Sequence, residues 1–126
     1  MIELTGKKIA VVDDTDSILM LFTALLEAHK GTAITFNSGR TFLQQVQEIS
    51  PDLILLDIQM PDLDGYKVLA QLKNLPATAS TPVVALTAHA MSGDKEHILE
   101  QGFSGYIAKP VDTRAFPNQI ASFLAG

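Results

Sequence analysis

The feature that most constrains this chain is a short apolar run, residues 53–56, that ends in the carboxylate of Asp57. An unbroken run of this length, with no alternating polar residues, is typical of a strand buried on both faces of a sheet. Turn-forming residues follow it, among them Pro61 and Gly65. We therefore expect Asp57 at the carboxyl end of a central strand, the edge where open α/β sheets bind ligands. The simpler interpretation is that Asp57 only caps the next helix.

Composition limits the classes of protein to which the chain can belong. The 126 residues are 47% hydrophobic, which is enough for one domain with a real core. The net charge of −5 argues against direct binding of nucleic acid, which needs a basic face. Cysteine is absent from the sequence, so disulfides and thiolate metal sites are excluded. We find no signal-peptide layout and no apolar run long enough to cross a bilayer, and we expect a cytoplasmic protein without membrane insertion.

Strand and helix patterns alternate five times along the chain. Apolar β-prone runs predict strands over 7–12, 32–36, 53–56, 82–86 and 105–108. Helical spacing predicts helices over 18–30, from a cap at 37–38 to about 49, and over 65–74, 91–101 and 117–124. We expect Gly31 to end the first helix, Gly93 to break the fourth early, and an irregular turn over 113–116. The pattern predicts a flavodoxin-like (βα)5 fold, a five-stranded parallel sheet in the order 2-1-3-4-5 with helices on both faces.

Polar side chains follow four of these strands at one edge of the predicted sheet. Asp13 and Asp14 follow the first strand, Asp57 the third, Thr87 the fourth and Lys109 the fifth. Each residue has a simpler explanation, since an Asp pair or a Thr often caps an element and a Lys is often solvated. Their coincidence at matched strand ends instead predicts one functional site.

The chemistry of that site follows from its charges. Three carboxylates that lie together repel one another unless a proton or a cation intervenes. A hard divalent ion such as Mg²⁺ with Lys109 would neutralise them. Asp57 is then the candidate nucleophile, which would attack phosphorus and form an acyl phosphate. The metal and Lys109 would stabilise charge on the phosphoryl oxygens, and Thr87 could donate a hydrogen bond to one of them.

The chain resembles a response-regulator receiver domain, the phosphoacceptor of bacterial two-component signalling, over essentially all 126 residues. The resemblance is carried by the Asp13-Asp14 pair, by Asp57 and the loop over 60–65, by Thr87-Ala88 and by Lys109-Pro110. Segments 85–91 and 102–110 are especially similar to receivers that are attached to, or served by, hybrid histidine kinases. The resemblance implies one receiver domain over 1–126 with no output domain, either a stand-alone receiver or a piece of a longer protein.

The resemblance also implies individual roles. Asp14 and Asp57 would bind Mg²⁺ directly together with the backbone carbonyl of Gln59, and Asp13 would act through water; Mn²⁺ could substitute. The Lys109–Pro110 peptide would be cis. On phosphorylation Thr87 would move toward the phosphate and Tyr106 would turn inward. That movement would repack the surface of the fourth helix, fifth strand and fifth helix, where a downstream protein target would bind.

The remaining expectations concern phosphate lifetime, partners and alternatives. The side chains of Gln59 and His89 could overhang the pocket and hinder or orient the attacking water, although His89 could equally be an exposed loop residue. The phosphodonor would be a sensor or hybrid histidine kinase or a histidine phosphotransfer protein, and the receiver would not be an enzyme on outside substrates. One alternative is a receiver-like binding module without phosphotransfer. Another is an aspartyl-nucleophile phosphatase, but such enzymes usually place an Asp where Gln59 stands.

Overall fold

The computed structural model describes residues 3–61, 64–88 and 92–125, and in them it confirms the five-fold alternation of strand and helix. Three elements have the predicted bounds, and most other ends differ by one or two residues. None of the helices in the described part of the chain has the length and apolar character of a bilayer-crossing helix. The elements are β1 (Lys8–Val12), α1 (Asp16–Ala28), β2 (Thr32–Phe36), α2 (Gly39–Ile49), β3 (Leu53–Asp57), α3 (Gly65–Asn74), β4 (Val83–Thr87), α4 (Ser92–Glu100), β5 (Gly105–Ala108) and α5 (Phe116–Ala125).

The sheet has the predicted order β2-β1-β3-β4-β5, and every neighbouring pair is parallel. All five residues of β3 are buried, which explains its unbroken apolar run. Alternate residues of β3 enter separate cores on the two faces of the sheet. Ile54 and Leu56 join the core beneath α2 and α3, whereas Leu53 and Leu55 join the core beneath α1 and α5. Asp57 therefore lies at the end of a strand that is packed on both faces.

The end of α1 differs from the prediction that the helix runs to Lys30 and that Gly31 stops it. The helix ends at Ala28, and Lys30 takes the left-handed conformation with φ 69°. The amides of Lys30 and Gly31 donate to the carbonyls of Glu27 and Leu26, the two hydrogen bonds of a Schellman motif. Gly31 instead packs closely against Leu4: a Cβ at residue 31 would lie 3.1 Å from the Cβ of Leu4, so a larger side chain would require Leu4 to shift.

The last two helices also depart from expectation. Gly93 does not break α4, which runs continuously from Ser92 to Glu100; residue 91 lies outside the described residues. α5 begins at Phe116 instead of Pro117 and extends to Ala125. Proline is tolerated at the second helical position because first-turn amides have no partner within the helix.

Candidate functional site

The carboxyl ends of β1, β3, β4 and β5 bring the predicted side chains to one edge of the sheet. Val12 pairs with Leu56, so Asp13 follows β1 beside the position of Asp57. Across the same edge Thr87 pairs with Ala108, which places Lys109 just beyond the end of β4. The amide of Lys109 donates to the carbonyl of Thr87 over 2.8 Å and fixes the chain there.

Three carboxylates meet at this edge. Asp13, Asp14 and Asp57 each offer an oxygen, and these oxygens all lie within 4.8 Å of one another. Asp13 is fully buried and Asp57 is 4% exposed, whereas Asp14 is open to solvent. Charges this close and this poorly hydrated repel strongly. The cluster therefore requires positive charge, and its hard oxygen ligands are of the type that divalent cations prefer.

Lys109 supplies the cation of the cluster from the other end of the chain. Its ammonium donates to Oδ2 of Asp13 over 2.6 Å and lies 3.4 Å from Oδ2 of Asp57. Burial by itself would lower the pKa of Lys109, but the hydrogen bond to Asp13 and the charge of Asp57 outweigh it and raise the pKa above its ordinary value. Lys109 is therefore a permanent positive charge at neutral pH.

Asp57 is held at both of its oxygens. Oδ1 accepts a hydrogen bond from the amide of Gln59 over 2.9 Å, and Oδ2 faces Lys109. Burial raises the pKa of Asp57, and the charge of Asp13 adds to the rise; the Gln59 amide and the Lys109 ammonium act in the opposite direction and do not cancel it. The carboxylate is thus held in a defined orientation, in surroundings that disfavour its ionised form. This combination is common at functional sites.

Asp13 links the site to α1. Its Oδ1 accepts from the amide of Thr15, the residue that caps α1, and its Oδ2 accepts from Lys109. The Thr15 side chain itself makes no capping hydrogen bond. Both oxygens of Asp13 are therefore engaged by the protein, while Asp14 remains exposed beside them.

The other predicted residues lie around this centre. Thr87 is buried at the end of β4, and Tyr106 is half-buried on β5 with its ring against the core beneath α2 and α3. The side chain of Gln59 is exposed next to the acceptor, and the Lys109–Pro110 peptide is cis. His89 lies outside the described residues, so its predicted role stays a prediction.

Sequence reasoning missed the importance of Gly65, which it treated only as a turn former. A Cβ at Gly65 would lie 2.5 Å from the Cα of Ile58 and 3.0 Å from the carbonyl oxygen of Asp57. The start of α3 is thus pressed against the backbone of the acceptor loop, and Asp64 caps the helix by accepting from the amide of Tyr66 over 2.8 Å. The Asp-Gly pair at the predicted start of a helix was the available signal.

The profile of the response regulator receiver domain matches residues 9–121. The chain belongs to this family. It is a receiver domain, with the phosphoacceptor role in two-component signalling that defines the family, and its acidic cluster fits a cation site.

Two relatives and one solved structure indicate the range of proteins that this receiver resembles. It is 39% identical over 118 residues to the polar-differentiation response regulator DivK of Brucella ovis, which covers 94% of this chain and 96% of DivK. It is equally identical to part of the signal transduction histidine-protein kinase BarA of Escherichia coli, but spans only 13% of that kinase. The receiver domain of the sensor histidine kinase PA1611 from Pseudomonas aeruginosa, which has a coordinated magnesium ion, matches with a TM-score of 0.87 and 25% identity, covering 97% of this chain and 100% of that one.

Proposed function

We propose that Asp57 accepts a phosphoryl group from the phosphohistidine of a partner protein. An oxygen of Asp57 forms a bond to phosphorus while the bond between phosphorus and the imidazole nitrogen breaks, and the leaving imidazole takes up a proton. The product is an acyl phosphate on Asp57. The donor would be a sensor or hybrid histidine kinase or a histidine phosphotransfer protein, in agreement with the similarity to both DivK and a segment of BarA.

The observation that carries this proposal is the environment of Asp57. Among the three clustered carboxylates, Asp57 alone ends the central strand, and its oxygens face one backbone amide and one ammonium. Both oxygens of Asp13 already accept hydrogen bonds. Asp57 is therefore the carboxylate best presented for attack on an incoming phosphorus atom.

The donor set also supports Mg²⁺ as a cofactor. The three carboxylates exceed the single ammonium of Lys109 by two negative charges, which one divalent cation would balance. Asp14 and Asp57 would hold the ion directly with the backbone carbonyl of Gln59, and Asp13 would act through water; Mn²⁺ could take its place. When bound, the ion would neutralise charge on the phosphoryl oxygens.

Two further residues would stabilise the transferred group. The ammonium of Lys109, already 3.4 Å from Asp57, would attract a phosphoryl oxygen, and the hydroxyl of Thr87 would donate a hydrogen bond to another. Thr87 and Tyr106 stand on the same face of the sheet, because Ala85 pairs with Tyr106 and Thr87 lies two residues beyond Ala85. A movement of Thr87 toward the phosphate would then leave space for the ring of Tyr106 to turn inward.

The output of the domain would be a change in protein–protein binding. Repacking of Tyr106 would alter the surface formed by α4, β5 and α5, and a downstream protein would bind there. We do not expect catalysis on outside substrates, because Gln59 stands where aspartyl phosphatases place their general acid and an amide does no acid–base work. We expect the exchange to take place in the cytoplasm, and we expect Gln59 and His89 to influence how long the phosphate persists.

The proposal is tested by incubating the protein with acetyl phosphate and Mg²⁺ and measuring its intact mass. We expect an adduct of one phosphoryl group that disappears in Asp57→Asn. The matched control is Asp52→Asn. The carboxylate of Asp52 lies near the opposite end of the same strand and accepts a hydrogen bond from the amide of Lys8. Asp52→Asn should retain the adduct.

Other outcomes would favour the alternatives. No adduct on a folded protein would favour a receiver-like module that binds without phosphotransfer. Continued release of phosphate from many phosphoesters would favour an aspartyl phosphatase. An adduct that persists in Asp57→Asn would mean that another residue is the acceptor.

A further inference from the structure

The helix α4 is weakly anchored in the protein. Among its residues 94–100, whose side chains the structure describes, Ile98 is the only buried one, and the neighbouring Leu99 is 51% exposed. By comparison α1 buries three large side chains. A helix with so few buried side chains can shift at a small cost in free energy. The contacts at its edges therefore do much to determine its position.

Aromatic contacts hold the second half of α4. The ring of His97 lies edge-on to that of Tyr66 on α3, with 5.0 Å between centroids, and Tyr66 in turn meets Phe103 edge-on at 5.7 Å. Phe103 belongs to the same core as Ile98. These contacts connect the end of α4 to α3.

The first half of α4 reaches β5 through Lys95. Its Nζ lies 5.4 Å from the centroid of the Tyr106 ring, within the range of a cation–π interaction. Lys95 is three residues before Ile98 and so lies on the inward side of the helix. Among the described residues no carboxylate lies within ion-pair distance of Lys95, so no ion pair competes there with its contact to the Tyr106 ring.

We propose that Lys95 is a latch that holds the Tyr106 ring in its half-buried position and thereby sets how readily the α4–β5 surface responds. The inference rests on the proposed function, in which Tyr106 turns inward after phosphorylation. An inward ring would leave the ammonium of Lys95, so the contact stabilises one arrangement and not the other. A contact made in only one of two states shifts their ratio by its own free energy.

The expected size of the shift follows from the exposure of the pair. An exposed cation–π contact changes the ratio of the two ring positions about two- to fivefold, equivalent to about 0.5–1 kcal/mol. Such a factor is too small to decide the state of the receiver by itself, but it changes how readily the ring moves. Removing the latch should therefore make the domain easier to activate without making it constitutively active.

The experiment uses 3-fluorotyrosine and ¹⁹F NMR. The chain has two tyrosines, so the labelled protein gives two signals, and Tyr66→Phe assigns them. Lys95→Met removes the charge and keeps the apolar stem, whereas Lys95→Arg keeps a cation that can stack on the ring. Lys67→Met on the exposed surface of α3 is the matched control for loss of a lysine charge.

In Lys95→Met we expect the Tyr106 signal of the free protein to move toward its position with Mg²⁺ and beryllofluoride, which imitates a phosphoryl group on a carboxylate. Half-saturation by beryllofluoride should need about two- to fivefold less ligand. Lys95→Arg should restore both properties, and Lys67→Met should change neither. An unchanged Tyr106 signal in Lys95→Met, or an equal change in Lys67→Met, would overturn the latch.

Failure of the proposed function can be recognised separately. A protein that gains no phosphoryl adduct by intact mass contradicts the role of Asp57, but the effect of Lys95→Met on the Tyr106 signal of the free protein would still report the contact. A normal adduct with a Tyr106 signal indifferent to Lys95 contradicts only the latch.

Discussion

Replacing Lys109 by methionine should destabilise the domain far more than removing an ordinary surface lysine. In the structure its ammonium is the positive partner of Asp13, which is fully buried, and of Asp57, whose side chain is 6% exposed. Methionine has a similar length and fills the space, but it leaves both carboxylates without a cation. Removing one partner of a buried ion pair costs about 3–5 kcal/mol, chiefly because the remaining charge is uncompensated.

The lower end of that range applies here. The Lys109 side chain is 19% exposed, so water would enter and partly solvate the carboxylates once the ammonium is gone. We therefore expect a loss of about 3 kcal/mol in the free energy of unfolding. With about 2.1 cal/mol/K of unfolding entropy per residue, this corresponds to a fall of roughly 11 °C in the melting temperature.

Thermal and urea unfolding followed by circular dichroism, in buffer with EDTA, would measure this loss. The control is Lys30→Met, which breaks an ion pair with Glu3 whose side chains are 60% and 54% exposed. That exposed pair contributes at most about 1 kcal/mol. Added Mg²⁺ should reduce the difference in unfolding free energy between Lys109→Met and the wild type, because a divalent ion would neutralise the same carboxylates. The reasoning is refuted if both variants lose equal stability without metal.

Three further predictions concern the same edge of the sheet. Burial, and then the charge of Asp13, raise the pKa of Asp57 in the folded protein above its ordinary value of 3.8. The ionised group therefore lowers the stability of the fold progressively as the pH rises from 3.8 through the raised pKa. Asp57→Asn should raise the melting temperature at pH 7, and this gain should vanish as the pH falls toward 3.8. Gly65→Ala should cost about 1–3 kcal/mol in chemical unfolding and slow labelling by acetyl phosphate, because its Cβ would meet the backbone of Ile58 at 2.5 Å. Lys109→Arg keeps the charge, but its planar guanidinium cannot reproduce a compact ammonium between two carboxylates, so labelling by acetyl phosphate should be slower; a wild-type rate would contradict this.

Much of the fold could be predicted because its strands are short, apolar and buried on both sides. β3 is the clearest case, since its apolar run is the direct consequence of two cores that meet at one strand. Once the strands are parallel and ordered, their carboxyl ends must share one edge. The approach of Asp13, Asp57 and Lys109 therefore followed from topology, although Lys109 lies 96 residues from Asp13 along the chain.

The errors lie where a contact distant in sequence overrides a local rule. A glycine after a helix usually takes the left-handed position, but here Lys30 takes it, and Gly31 instead packs closely against Leu4. A glycine in a weakly amphipathic helix suggests a break, yet α4 continues through Gly93 and packs through Ile98. Gly65 and the Lys95–Tyr106 contact were missed for the same reason: neither close approach leaves a periodic signal in the sequence.

The electrostatics of the acidic edge explain why a change there should be felt at α4. Phosphorylation would add negative charge to a cluster that already exceeds its single ammonium, so the positive and hydrogen-bonding groups around it must rearrange. Asp13 is held by two hydrogen bonds and β3 is buried on both faces, so moving either of them would cost considerable free energy. The β4–β5 side is less firmly packed. Among the described side chains of α4, at residues 94–100, only Ile98 is buried, and the half-buried Tyr106 ring lies against Lys95. We therefore expect the difference in anchoring to direct the response to phosphorylation toward α4 and β5.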